Sequence, residues 1–485
     1  MLKANFYVWH KRGKPMPKDI FTKNLIVNDV HSHLNQTEVA EIYCPQNVEE
    51  IQQIVCRATE NNLHISIAGK KHSMGGQQFL SGEILLDMSV MNRIIKLEPE
   101  KELIEIEAGI SWDKLIEFTV DQQAGKTFQV GIRQKQTGAD NLTLGGALAS
   151  NIHGRGLTMK PLIDDIESFK VVTANSEILE CSRTKNYELF RTAIGGYGLF
   201  GIIVSVKLRL MKRQKLRRTV KIESVENLSE LFTNRIENDF LYGDFQFAID
   251  ETSDEFLMKG VFSCYEPIED NAPISENNVE LSPESWKNLL FLAHTDKRKA
   301  FELYAAHYLK TDGQIYWTDT HQTSFYLENY HKQLDSLTNK PHSSSEMITE
   351  VYVPLNKLEV FLNIVREDFR RNSVNLIYGT IRIIKRDDES FLAWAREDFA
   401  CIVFNLHIEH QPPAIEKAEN DFRRLINRAI NFGGSFYLTY HRWATAAQVL
   451  SCYPQFREFL DLKLKYDEAE LFQSDWYVKY KKLLE

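Results

Sequence analysis

The sequence predicts an α+β protein of two units, on three observations. The chain has 485 residues, more than one hydrophobic core comfortably serves. Between Tyr43 and Arg209, short apolar runs alternate with helical patterns and glycine-rich loops. Beyond the basic run Met211–Arg218, "MKRQKLRR", the texture changes to longer strands separated by amphipathic helices, the pattern of a mixed or antiparallel sheet with helices on one face.

Taken in order, "NVEEIQQIVCRATENN" places Val48, Ile51, Ile54, Val55 and Ala58 on one helical stripe with Asn47 as N-cap. A strand-like run, His64–Ala68, leads into the loop "GKKHSMGGQQF". "EILLDMS", "LIEIEAG" and "IIVSVKLRL" read as strands, the last alternating Val204, Val206 and Leu208 against Ile203, Ser205, Lys207 and Arg209. The run Met211–Arg218 is expected to be a solvated boundary. After it, "LYGDFQFAI", "FLMKGVFSCY", "MITEVYVPL", "NLIYGTIRII" and "FACIVFNLHI" read as strands, and "KLEVFLNIVREDFRR" and "AIEKAENDFRRLINRAINF" as helices. Trp286–Leu337 is expected to be mostly helical and is rich in aromatic residues.

Composition narrows the class. With 43% hydrophobic and 26% charged residues the chain is an ordinary globular one, and a net charge of −9 leaves no electrostatic footprint for nucleic acid. The six cysteines are widely spaced and predict reduced, mostly buried thiols. The start, "MLKANFYVWHKRGKPMPKD", has no apolar core of signal-peptide length, and no run is long enough for an integral membrane segment, so a soluble, cytoplasmic protein is expected.

Three glycine-rich stretches bear on chemistry. "GYGLFG" (Gly196–Gly201) fits G-x-G-x-x-G, but a helical pattern precedes it and a strand follows, the reverse of a nicotinamide dinucleotide site. The loop after His64–Ala68 lacks the Walker spacing. Its backbone with Lys70, Lys71 and Ser73 suits an anion nest, and equally an ordinary surface loop. "TLGGALASNIHGRG" (Thr143–Gly156) combines small residues with Ser150, Asn151 and His153, a lining on which a flat ring could lie and also the composition of a closely packed helix start.

The order of "PQNVEEI" (Pro45–Ile51), "IAGKKHSMGGQ", "LLDMS", "EAG", "TLGGALASNIHG" and "FRTAIGGYGLFGIIVSVKLRL" resembles the PCMH-type FAD-binding domain of the vanillyl-alcohol oxidase superfamily. "GGALASNIHG" and "GGSFYLTYH" (Gly433–His441) are most similar to the branch of decaprenylphosphoryl-ribose oxidase, alditol oxidase and the aldonolactone oxidases. The resemblance implies a two-domain fold: an FAD-binding domain over 1–212 with its core about 37–212, an inserted substrate-binding cap domain over 213–432, and a C-terminal segment, 433–485, returning to the FAD domain. It implies that Ala68, Gly69, Lys70, Lys71, His72, Ser73, Met74 and Gln77 wrap the FAD pyrophosphate. His72 stands where some relatives attach flavin covalently; the decaprenylphosphoryl-ribose relatives lack that tether. Thr143, Gly145, Gly146, Ser150, Asn151 and His153 are implied at the ribityl chain and ring, Gly201, Ile202 and Ile203 at the adenine or ring edge, and Tyr437 against the cofactor.

Oxidation of an alcohol on flavin needs the donor C–H over the ring, a polarising or basic group at its hydroxyl, and positive charge near the ring. Arg382, which shares a strand face with Thr380, and the pair His407 and Glu409 resemble polar positions on alditol-oxidase substrate strands. Where sugar-oxidising relatives place a lysine this chain has Tyr440, followed by His441. The expected function is an FAD-dependent oxidoreductase that moves hydride from a small CH–OH donor such as a sugar, polyol or aldonolactone to flavin, then to oxygen or another acceptor. The alternatives are cytokinin-dehydrogenase-like CH–NH oxidation and a flavin-binding protein without turnover.

Overall fold

The computed structural model describes residues 21–485; the N-terminal stretch inspected for a leader lies outside them. In the first sheet, β1 (Phe21–Val27) is antiparallel to β2 (Thr37–Tyr43), and helix α1 (Val48–Glu60) carries the chain to β3 (Ile65–Ala68) and β4 (Ile84–Asp87). The order is β1-β2-β4-β3, with β4 parallel to both neighbours, a pairing that needs a crossover such as α1. Asn47 caps α1 by accepting from the Glu50 N–H, and Ile51, Ile54, Val55 and Ala58 are its buried stripe, as the spacing predicted.

The second sheet takes β5 (Ile94–Glu98), β6 (Leu103–Glu107), β7 (Val130–Ile132), β8 (Ile166–Val172), β9 (Ile178–Ser182) and β10 (Ile202–Lys212) in the order β5-β6-β10-β8-β9, with β7 on the far end of β10. Its helices are α2 (Trp112–Gln122), α3 (Leu144–Ser150) and α4 (Tyr187–Ala193). "GYGLFG" follows α4 and opens onto β10, so it has the helix-before, strand-after context that excludes the dinucleotide motif.

The third sheet contains β11 (Lys215–Ser224), β12 (Tyr242–Phe247), β13 (Lys259–Pro267), β14 (Ile315–Trp317), β15 (Ser344–Pro354), β16 (Leu376–Ile384), β17 (Phe399–Glu409) and β18 (Ser435–Phe436). They run β14-β11-β13-β12-β16-β17-β15-β18, antiparallel throughout. The helices between them are α5 (Leu228–Glu237), α6 (Pro283–Thr295), α7 (Lys297–Leu309), α8 (Tyr330–Leu337), α9 (Leu358–Arg371) and α10 (Pro412–Asn431). They cover both faces, not one as expected. Phe369 of α9 packs edge-on against Phe404 on one face, while Phe301 and Ala305 of α7 pack on Val220 and Val261 on the other. The chain ends in α11 (Ala446–Cys452), α12 (Phe456–Tyr466) and α13 (Asp475–Leu484). Residues 471–475 lie on the edge of the first sheet: Ile65 N–H donates to Leu471 O at 2.7 Å, Gln473 N–H to Ile65 O at 3.0 Å and Asp475 N–H to Phe79 O at 2.7 Å.

A second expectation is corrected. Met211–Arg218 is not a solvated run: it forms the end of β10 and the start of β11, and Arg213 and Arg218 are buried. Arg213 lies 2.8 Å from Asp319 with both side chains enclosed (8% and 1% exposed) and its guanidinium over the Trp317 ring. A guanidinium that finds a carboxylate and an aromatic face can leave water, which a count of charges does not reveal. No disulfide joins any of the six cysteines among the described residues, and four of them are buried. No helix of the described residues is long and apolar enough to cross a membrane.

Candidate active site

The two predicted loops meet. Strand β3 ends at Ala68, and the chain turns through Lys71 (φ 61°) and Gly76 (φ 75°). A Cβ at Gly69 would stand 2.1 Å from Thr143 Oγ1, so glycine is what lets this loop close on the start of α3. Thr143 caps that helix by accepting from the Gly146 N–H. The first loop is fastened by Asn35 Nδ2 donating to Met74 O at 2.6 Å, by Gln77 Nε2 donating to Thr439 O at 2.6 Å and by the Lys71–Asp87 ion pair at 2.5 Å.

Both loops line a cavity of about 660 Å³. Ala68, Gly69, Lys70, Lys71, His72, Ser73, Met74 and Gln77 are on its wall, with Thr143, Gly145, Gly146, Ser150, His153, Gly201, Ile203 and Tyr437. Tyr437 donates its hydroxyl to Ser150 O at 2.6 Å. Two predicted residues are elsewhere. Asn151 ends α3 in a left-handed conformation (φ 48°), its amide donating to Asp387 and its carbonyl accepting from the Ile163 N–H. Ile202 points into the core between α1 and β10, the face of the strand opposite Ile203.

His72 Nδ1 is 2.9 Å from His31 Nε2, and His72 Nε2 is buried without a protein partner. Burial, and then the neighbouring His31, push the His72 ring down to about 3; burial and His33 push His31 to about 4. Both rings are therefore neutral near neutral pH. When His72 supplies the shared proton from Nδ1, its Nε2 carries a free lone pair.

The other wall is one face of the third sheet. Because side chains alternate along a strand, the register that sets Glu350 opposite Val403, Ile348 opposite Asn405 and Arg382 opposite Cys401 places these side chains on a single face. Arg382 donates to the Thr137 hydroxyl, and its Nε is buried and unpartnered. Glu350 is the hub. Its Oε1 accepts from the Tyr440 hydroxyl at 2.8 Å, and its Oε2 accepts from Tyr352 and from His153 Nε2, each at 2.9 Å. Burial alone would raise this carboxyl, but His153, Arg382 and Tyr440 outweigh it and hold Glu350 down at about 2. Burial and Glu350 together push the Tyr440 phenol well above its ordinary value, so it stays protonated. At the far end, Arg155 and Arg218 stack on Tyr265, and the Arg218 guanidinium also lies 4.4 Å from the Tyr308 ring centre. The nearest carboxylate to Arg155 is Asp244 at 3.9 Å.

Three predicted catalytic residues do not line this cavity. His441 is stacked on Phe422, its Nε2 3.2 Å from the Thr349 hydroxyl. His407 is buried beside Glu346, and Glu409 is paired with Lys340 at 2.9 Å near the surface. The alternation that set Arg382 inward was sound, but β17 runs past the cavity at its Glu409 end. Glu350 and His31 were missed. A signal for Glu350 was present: it is an acid leading directly into the apolar run "VYVP". His31 had none.

The two glycine loops on the cavity wall, the unpartnered His72 Nε2 and the buried Arg382 Nε fit a large anionic cofactor with a flat ring. Comparison with known proteins agrees. Residues 39–182 match the family described as FAD binding domain. It is 29% identical to L-galactono-1,4-lactone dehydrogenase, mitochondrial, of Arabidopsis thaliana, over 46% of this chain and 34% of that one. It is 30% identical to L-gulonolactone oxidase of Bos taurus over 36% of this chain and 38% of that one, and 27% identical to cytokinin dehydrogenase 2 of Arabidopsis thaliana over 35% and 33%. The matches thus span about a third of the length of these curated relatives.

Proposed function

We propose that the protein is an FAD-dependent oxidoreductase that takes hydride from a CH–OH donor, a sugar, polyol or aldonolactone, and passes electrons to oxygen or another acceptor. The observation that supports this most is a single cavity with the loops of the FAD-binding domain on one side and Arg382, Glu350 and Tyr440 on the other. In this reading residues 1–212 and 433–485 are the FAD domain and 213–432 the substrate-binding cap. Bound FAD supplies the hydride acceptor. The loop Gly69–Gln77 and Thr143–His153 hold it, and Arg382 supplies positive charge where negative charge develops. Glu350, ionised at about 2, is too weak a base for the donor hydroxyl. It fixes the Tyr440 hydroxyl instead, whose oxygen lone pairs then orient the donor O–H. Two of the relatives are named for lactone oxidation, which favours the CH–OH reading. The relatives named cytokinin dehydrogenase support CH–NH oxidation as the second reading.

The test is anaerobic mixing of the purified holoprotein with a panel of polyols, sugars, aldonolactones and secondary amines while flavin absorbance is followed. Bleaching by a CH–OH donor, slowed in Arg382→Ala with flavin still bound, supports the proposal. Bleaching by amines alone moves the protein to the second reading, and bleaching by no donor leaves a flavin-binding protein without turnover.

A further inference from the structure

Outside the flavin loops and the Arg382 network, the third sheet carries a second polar cluster. His294 on α6, Glu346 on β15 and His407 on β17 converge, all with side chains over nine-tenths buried (6%, 8% and 6% exposed). Glu346 and His407 are paired across the β15/β17 register, and α6 lies over that face, which brings its histidine down onto both. The atoms that meet are His294 Nε2, Glu346 Oε1 and His407 Nδ1. Among the described residues none of the three has a partner in good hydrogen-bond geometry, although all lie within 4.8 Å of one another. Three buried polar atoms that converge without a well-aligned hydrogen bond are costly unless something occupies the point between them.

The separations identify what fits. Glu346 Oε1 is 3.2 Å from His294 Nε2 and 3.7 Å from His407 Nδ1. Two ligands on a tetrahedral ion with arms of about 2.1 Å stand about 3.4 Å apart, between those two values. The carboxylate is also pre-oriented: its other oxygen, Oε2, accepts from Tyr330 at 2.5 Å and lies 2.6 Å from His331 Nε2, which pins the group and leaves Oε1 to the cluster. Two imidazoles and one carboxylate are too few oxygens for calcium or magnesium and are the donor set of zinc and its first-row neighbours.

We propose that His294, Glu346 and His407 form a binding site for a divalent first-row transition ion, with zinc as its probe. The site stands apart from the flavin reading, since an ion there is detected whatever the donor. Its consequence is architectural. Ala293 is the one buried apolar residue of α6, yet Trp286, Leu289 and Leu290 of this helix form part of the cavity wall. An ion bridging α6 to β15 and β17 fastens a wall that apolar packing holds weakly.

The experiment uses full-length holoprotein, free of any affinity tag, stripped with a chelator, dialysed and titrated with zinc chloride against a fluorescent chelator. One ion per chain is expected, with a rise in melting temperature that the chelator reverses. His294→Gln and His407→Gln should each weaken binding by ~100-fold or more. Flavin content and the melting temperature without zinc show that each variant is folded. A wild-type protein that takes up no zinc overturns the assignment whatever the variants do. So does stoichiometric binding that both glutamine variants retain.

Discussion

His153 Nε2 lies 2.9 Å from Glu350 Oε2, joining the second glycine loop to the third sheet in the wall of the cavity. His153 Nδ1 faces Gly154 O at 2.9 Å, so both ring nitrogens meet oxygen atoms. Glu350→Gln removes the buried carboxylate that faces His153 and Arg382. Removing one partner of a buried pair costs about 3–5 kcal/mol, so a lower melting temperature is expected together with a slower anaerobic reduction. Because wild-type Glu350 is ionised above about pH 2, the loss in rate should be uniform across the neutral range. A loss confined to one limb of the pH profile would contradict its role as a fixed charge.

The His72–His31 contact leads to a second expectation. With His31 Nε2 accepting from Nδ1, the His72 Nε2 lone pair is left free beside the cavity, as a covalent flavin link would require. Acid precipitation of the wild-type protein should keep the yellow colour in the pellet, and His72→Ala should release it. His31→Ala should release a fraction, because it removes the group that fixes the tautomer. Colour freed entirely from the wild type would reduce His72 to a packing role.

What the sequence disclosed and withheld follows from range. The capped stripe of α1, the alternation of β10 and the strand face of Arg382 are local patterns, and each is found in the fold. Glu350, His31 and the His294–Glu346–His407 cluster arise from pairings between distant segments. Glu346 meets His407 because β15 pairs with β17, and no spacing along the chain encodes that. The same cause hid the burial of Arg213 and Arg218, whose partners Asp319 and Ser263 are far away in sequence.

Arg218 contacts Ser263 Oγ at 2.9 Å and aromatic faces, with no carboxylate of the described residues within ion-pair distance, and it lines the cavity. A donor that presents a carboxylate or phosphate there gains a charge-assisted hydrogen bond of about 1.5–3 kcal/mol. Arg218→Met should therefore raise KM for an anionic donor by ~10-fold or more and leave KM for its neutral analogue nearly unchanged. Equal effects on both would show that Arg218 only shapes the wall.

The Arg213–Asp319 pair makes a stability prediction at the junction of β10 and β11. Asp319 also accepts from the Thr320 N–H, so Asp319→Ala strands a buried guanidinium and an N–H together. A loss of about 3–5 kcal/mol is expected. Thermal unfolding of the holoprotein checks it: an unchanged midpoint would mean that Arg213 is satisfied by Gln129 and Trp317 alone.

His441, placed by the structure in the core behind the cavity, provides a pH test. Its Nδ1 accepts from the Trp443 N–H at 3.4 Å, so the proton is on Nε2, which donates to the Thr349 hydroxyl. Only the neutral ring can make both contacts, and burial, then Arg423, push it down from 6.5 to about 3. The unfolded chain takes up a proton here below about pH 6.5 while the folded one does not, so the native state loses stability as pH falls from there toward 3. The slope from this group is roughly 1 kcal/mol per pH unit. His441→Gln can keep both hydrogen bonds and has nothing to titrate. It should be the less stable protein near neutral pH, where the stacking on Phe422 is lost without compensation, and the gap to wild type should narrow steadily on acidification. Melting temperatures of both proteins, measured from about pH 7.5 down to about pH 5, decide it. A gap that stays constant over that range would mean His441 is not held neutral by its burial.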